Sequence, residues 1–247
     1  LKGQDDDGKN ALMLAVENDH TACARVLIAA KADVNAEDAV GFTALMFAAY
    51  QGNTECTQIL LDANADVNAS ADRGNTALMS AAREGKIDCV QLLVAAKANL
   101  DAQDYSGNTA LFLAAGDGNP ECAQMLVDAK AEVNIRNVRD FTALIFAAQA
   151  GDLHCGQMLV AAKADIHTQN WYGDNALICA AKKGKHELVQ LLIDANADVH
   201  AKDDRENTAL FWAACIGNTQ CARMLIDAKA DVNMKGYNAY CFNLCCG

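Results

Sequence analysis

The dipeptide Ala-Leu returns at Ala11-Leu12, Ala44-Leu45, Ala77-Leu78, Ala110-Leu111, Ala143-Leu144, Ala176-Leu177 and Ala209-Leu210, each time 33 residues on and without an insertion. A fixed period of this length constrains the fold more than any composition does. Each unit is one small supersecondary piece that cannot bury its apolar face alone, so neighbours must stack to make a continuous core. Seven units fit the register, at 5–37, 38–70, 71–103, 104–136, 137–169, 170–202 and 203–235, with 236–247 as a degenerate tail. No linker separates them, so residues 1–247 are expected to form a single array.

Each unit reads as two short helices and a turn-rich connection. In the second unit Thr43 is placed to cap a helix running from Ala44 to Gln51, and Gly52 stops it. Asn53 caps a second helix from Thr54 to Ala63, on which Cys56, Ile59, Leu60 and Ala63 share one face, and Asn64 closes it. In the fourth unit the chain's single proline, Pro120, falls at the first position of the second helix, where its missing N–H costs nothing. The following stretch, Ala65-Asp66-Val67-Asn68-Ala69 and the Asp/Asn/Gly-containing segment after it, carries Asx and glycine turn chemistry. It reads as a protruding hairpin-like loop.

Turn plus two helices at this period resembles the ankyrin repeat. The family's T-P-L-H-x-A is matched by Thr43-Ala44-Leu45-Met46-Phe47-Ala48, Thr76-Ala77-Leu78-Met79-Ser80-Ala81 and Thr109-Ala110-Leu111-Phe112-Leu113-Ala114. Its G-A-D-V-N-A ending is matched by Lys31-Ala32-Asp33-Val34-Asn35-Ala36 and Asn64-Ala65-Asp66-Val67-Asn68-Ala69. The resemblance covers 231 of 247 residues and implies an all-α, ankyrin-type α-solenoid of stacked helix-turn-helix repeats with protruding hairpin loops. Three departures carry expectations. Met, Phe or Ile replaces the family's histidine, removing its bond to the threonine. Lys31, Lys97, Lys130, Lys163 and Lys229 replace the glycine that ends the second helix in a left-handed conformation, which should strain them mildly. Asp140 and Glu206 replace the turn glycine seen as Gly41, Gly74, Gly107 and Gly173, so the loops of repeats five and seven are expected to be altered.

The net charge of −12 argues against a surface that tracks nucleic-acid phosphates. Every apolar run is interrupted well short of the roughly 18 residues that a membrane-spanning helix needs, so no membrane insertion is expected. The first repeat keeps apolar Leu12, Met13, Leu14 and Val16, and the tail Tyr237 to Cys246 stays apolar without the motif. Together these lead us to expect a monomer or a fragment of a longer chain.

Chemistry-bearing residues resolve into scaffold positions. Cys23, Cys56, Cys89, Cys122, Cys155 and Cys221 hold one repeat position, with Leu188 between, and read as a ladder of small apolar groups. Abundant unpaired thiols point to a reducing, cytoplasmic compartment. His167 and His200 sit in loops one repeat apart, too far for one metal. His186-Glu187-Leu188-Val189-Gln190 lacks the second histidine of a zinc motif, and Gly116-Asp117-Gly118-Asn119-Pro120-Glu121 and the Gly-Lys pairs lack the context of phosphate loops. The Cys241, Cys245 and Cys246 spacing is not a C-x-x-C pair. No catalytic residues, cofactor or metal site are assigned, and the chain is not expected to be an enzyme.

In a repeating frame, partner choice is encoded where units differ and face solvent. The resemblance places those positions at hairpin tips and first-helix ends, where it implies that they line one concave groove. They begin largely acidic with Asp6, Asp7, Lys9, Glu17, Asn18 and Glu37, turn aromatic at Phe42 and Tyr50, and become mixed at Arg73, Arg83 and Tyr105. From Arg136, Arg139 and Phe141 through Trp171, Tyr172, Lys182 and Lys183 they are basic and aromatic. The expected function is a non-catalytic protein–protein interaction scaffold. Its partner would lay an acidic segment over Arg136, Arg139, Lys182 and Lys183 and an apolar anchor near Trp171 and Tyr172. The competing reading for those aromatics is local packing on their own hairpins, which Phe47 and Trp212 suit better still. A second function class is a regulatory or targeting segment of a larger enzyme, of kinase or ubiquitin-ligase-adaptor type. Nucleic-acid binding through Lys182-Lys183 and Trp171-Tyr172 is the least favoured.

Overall fold

The computed structural model describes residues 4–234; the cysteines of the tail, 241–246, lie outside them. The chain divides into two compact units at Glu132 and Val133. In the first unit the helix pairs are α1 (Ala11–Glu17) with α2 (Thr21–Ala29), α3 (Ala44–Gln51) with α4 (Thr54–Asp62), α5 (Ala77–Arg83) with α6 (Ile87–Ala95), and α7 (Ala110–Gly116) with α8 (Pro120–Asp128). In the second they are α9 (Ala143–Ala150) with α10 (Leu153–Ala161), α11 (Ala176–Lys182) with α12 (His186–Asp194), and α13 (Ala209–Cys215) with α14 (Thr219–Asp227). Within each unit first helices pack on first helices and second on second, the helical-repeat solenoid expected from the period.

The local reasons are the predicted ones. Thr43 Oγ1 accepts the Met46 N–H, and Thr76, Thr109, Thr142 and Thr208 cap their helices likewise. Asn10 and Asn175 do this at 2.9 Å where threonine is absent. Gly52 ends α3 at φ 79°. The alanine pairs Ala48-Ala49, Ala81-Ala82 and Ala114-Ala115 are fully buried in the first unit, so the first helices approach closely there. Before α8 the proline stands at its first turn, but Asn119 does not cap it. Its amide reaches back one repeat and donates to the Arg83 carbonyl at 2.6 Å.

The five lysines at the ends of second helices do adopt left-handed φ, between 66° and 74°. The altered loops expected in repeats five and seven are not found. Asp140 (φ 58°) and Glu206 (φ 60°) take the conformation of glycine, and their N–H groups close the same turn at 2.9 Å that Gly107 closes at 2.8 Å. The reason lies three residues earlier. Asn137 Oδ1 accepts the Arg139 and Phe141 N–H groups, and Asp203 Oδ1 accepts those of Arg205 and Asn207, which dictates the loop whatever follows. Repeat three has Ala71 at this position and no such acceptor. There the loop winds into a short 3₁₀ turn, Asp72–Gly74, with Arg73 at φ 71°.

Candidate functional site

The hairpin loops are joined tip to tip by main-chain bonds. In the first unit the Ala39, Asp72 and Tyr105 N–H groups donate to the Asp7, Val40 and Arg73 carbonyls. In the second, Trp171 donates to Arg139 at 3.1 Å and Asp204 to Tyr172 at 3.1 Å. The tips are therefore held by backbone bonds, and several of their side chains project into solvent. Tyr105 is 78% exposed, Trp171 63% and Tyr172 58%.

In the first unit a cleft of about 660 Å³ brings together Phe42, Arg73, Arg83 and Tyr105 of the expected set, with Val40. Tyr50 is exposed outside that lining, and Phe42 packs on Phe47 at 5.6 Å between ring centres. Arg83 lies 3.8 Å from Asp117, both half exposed. In the second unit a cleft of about 260 Å³ gathers Phe141, Tyr172, Lys182 and Lys183, together with Cys179 and Trp212. Arg136, Arg139 and Trp171 are exposed outside its lining, and Arg136 faces Asp140 at 3.9 Å.

Two expected contact residues have other work. Phe141 is buried, with Tyr172 packed edge-on against it at 6.5 Å, so it supports a tip instead of forming one. Lys182 Nζ donates to both Asp174 oxygens at 2.6 and 2.8 Å, lies 3.5 Å from Asp203, and stands 4.3 Å above the Trp212 ring. Its charge is neutralised internally. Trp212, buried as expected, donates its Nε1–H to Asp203 Oδ2 at 2.9 Å. This latch ties the loop before α11, the end of α11 and the next repeat's first helix.

The same latch exists in the first unit with its signs exchanged. Lys9 holds the place of Asp174, Glu17 that of Lys182 and Phe47 that of Trp212, five repeats earlier in each case. Lys9 Nζ meets Glu17 at 2.7 Å and stands 5.1 Å from the centre of the Phe47 ring. Sequence reasoning overlooked it, although an opposite-charge pair eight residues apart, with an aromatic one repeat on, was the available signal.

Burial pushes the Asp174 carboxyl above its ordinary 3.8, more than Lys182 pulls it down. Burial also pushes Asp203 up, but the Asn207 N–H, Trp212 Nε1–H, Arg205 N–H and Lys182 together outweigh it, and Asp203 ends below 3.8. The two therefore tilt stability in opposite directions. Asp203 contributes stability that is present above 3.8 and lost as pH falls through its folded value; Asp174 subtracts stability as pH rises from 3.8 through its folded value. Urea denaturation between about pH 2 and 6 should show a shallower acid loss for Asp203→Asn. For Asp174→Asn the decline on the upper side of 3.8 should vanish.

The cysteine ladder is structural. Cys56, Cys89, Cys122 and Cys221 are buried thiols on the second helices, and burial pushes Cys122 up to about 11. Cys179, on a first helix, is pushed by burial up to about 12. Such thiols are inert nucleophiles. In the first unit Asn35, Asn68 and Asp101 each accept a backbone N–H from the next repeat at 2.7 to 2.8 Å. His167 and His200 occupy this position in the second unit and are exposed. Among the described residues no group of three metal-ligating side chains occurs, and no helix is long and apolar enough to cross a membrane.

A family model described as "Ankyrin repeats (3 copies)" matches residues 1–71, 65–137 and 144–236. Among solved structures, the human ASB11 ankyrin repeat domain is similar at 24% identity and a TM-score of 0.80, over 89% of this chain and 98% of that one. The ankyrin repeat domain of Bcl-3, described as a unique member of the IkappaB protein family, is similar at 24% identity and 0.78, over 92% and 100%. At this identity both likenesses concern the fold. No curated protein sequence matches.

Proposed function

This chain belongs to the ankyrin repeat family, and from that premise we propose that it is a non-catalytic module that binds a protein partner through its hairpin tips and first-helix ends. The observation that carries the reading is the contrast between frame and tips. Caps, turns and alanine contacts repeat from unit to unit, whereas large aromatic and basic side chains stand exposed on loops fixed by main-chain bonds. Tyr, Trp and Arg are the types that anchor interfaces, and a preformed loop loses little entropy when it docks. The register runs unbroken through Glu132–Val133, so we treat the seven units as one array.

An acidic partner segment would meet Arg139 and Lys183, because Lys182 is engaged by Asp174 and Asp203 and Arg136 faces Asp140. Residues 133–247 carry 11 Lys+Arg against 12 Asp+Glu, while residues 1–132 carry 9 against 20. Opposite charge therefore steers such a segment to the second unit.

The test is affinity capture with the intact chain and with Trp171→Ala/Tyr172→Ala. Both side chains are more than half exposed, so the melting temperature should hold while capture of the partner drops at least about ten-fold, as loss of an interface anchor does. Equal capture by the two proteins would return these aromatics to a local packing role.

A further inference from the structure

The first helices of the second unit carry Phe146, Cys179 and Trp212 at one position in successive repeats. A small residue between two large ones leaves a hole, and the 260 Å³ cleft lies there, lined by Cys179, Tyr172, Trp212, Lys183 and Asn170. A space of this size suits one large side chain and has aromatic walls. It also has an unsatisfied wall group. Asn170 is 6% exposed, and its Oδ1 accepts the Tyr172 and Asp174 N–H groups at 2.9 and 3.1 Å, but its Nδ2 has no hydrogen-bond partner. A buried donor without an acceptor is costly. The charges around the mouth are unequal in availability. Asp174 and Lys182 neutralise each other, whereas Lys183 is exposed and makes no ion pair among the described residues.

From this we infer that the Cys179 cleft receives a single large apolar side chain, Phe or Leu in size, from a partner segment whose neighbouring carboxylate pairs with Lys183. This rests on the protein-binding reading above and names the chemistry of what is bound. Cys179 acts here through its size, since its buried thiol is unreactive.

The chain has two tryptophans, so in a Trp171→Phe background the emission of Trp212 reports on the cleft alone. The probes are three acetylated, amidated pentapeptides: Asp-Glu-Phe-Glu-Asp, the same with Ala for Phe, and Lys-Lys-Phe-Lys-Lys. The acidic Phe peptide should shift Trp212 emission saturably. The Ala peptide should bind at least about ten-fold more weakly, one large buried side chain being worth that much. The basic peptide should be weaker too, and Lys183→Glu should reverse the order of acidic and basic. Cys179→Phe and Cys179→Leu fill the hole, and Leu is already tolerated at this position as Leu113. Either, with an unchanged melting temperature, should abolish the response, while Cys179→Ala keeps it.

Equal binding of the Phe and Ala peptides, tighter binding of the basic peptide, an unaffected Cys179→Leu, or no saturable binding by any peptide overturns the inference. Partner capture separates the two readings. Capture that survives Cys179→Leu but fails with Trp171→Ala/Tyr172→Ala removes the cleft and leaves the protein-binding function standing.

Discussion

Replacing Gly156 by valine is expected to destabilise the protein by about 3 kcal/mol, the upper part of the range for overpacking a filled core. Gly156 lies on α10, buried, and a Cβ built on it would come within 2.5 Å of Leu188 Cδ2 on α12. Leu188 is itself the one residue that interrupts the cysteine ladder. The two substitutions compensate: where the later repeat gains a leucine, the earlier one gives up its side chain. Elsewhere the pair is Ala24 with Cys56, Thr57 with Cys89 and Val90 with Cys122 in the first unit and Val189 with Cys221 in the second, all of them buried. Leu188→Cys alone should leave a cavity and cost about 2 kcal/mol. The double variant Gly156→Val/Leu188→Cys recreates a pair the protein already uses and should return to within about 1 kcal/mol of the parent, a coupling expected of residues in contact. Urea unfolding of the four proteins measures it; simple additivity of the two losses would show that they do not share one space. Gly156→Ala is the milder case, because the helical preference of alanine, about 1 kcal/mol over glycine, offsets its smaller intrusion.

Lys182→Glu is the second large effect. It would set a third carboxylate beside Asp174 and Asp203, which are 9% and 3% exposed as side chains, and remove the cation above Trp212. Breaking a largely buried pair costs about 3–5 kcal/mol, and the quarter-exposed lysine places this case at the lower end. The sign-exchanged latch of Lys9, Glu17 and Phe47 supplies the control, with Asp38 at the repeat position of Asp203. Asp174→Lys/Lys182→Glu should therefore recover most of the loss of Lys182→Glu. Thermal melting at low and high salt measures the recovery. A double variant as unstable as the single one would show that the second unit depends on the original polarity.

The fold was legible because its determinants are local. Thr43, Gly52, Asn53 and Asn64 each act within a turn of where they stand, and Pro120 marked its helix independently of the period. The loops of repeats five and seven were misjudged from Asp140 and Glu206 alone. Their conformation is set by the acceptors Asn137 and Asp203, so the informative departure was Ala71, which has none. At the site, exposure of Trp171 and Tyr172 followed from their place on the tips. The burial of Phe141 and the pairing of Lys182 did not, because both depend on contacts one repeat away. Comparing equivalent positions down the units, instead of reading along each, exposes the Gly156–Leu188 exchange, the reversed latch and the gap at Cys179.

The main-chain bonds between neighbouring loop tips join peptide groups, whatever side chains those residues carry. At the exposed tip positions such as Tyr105 and Trp171 the main-chain connection does not depend on the side chain, so recognition can be rewritten there by substitution with little effect on foldedness. Evolution, or a designer, can change what the protein grips by altering a few letters and never touch the frame that holds them.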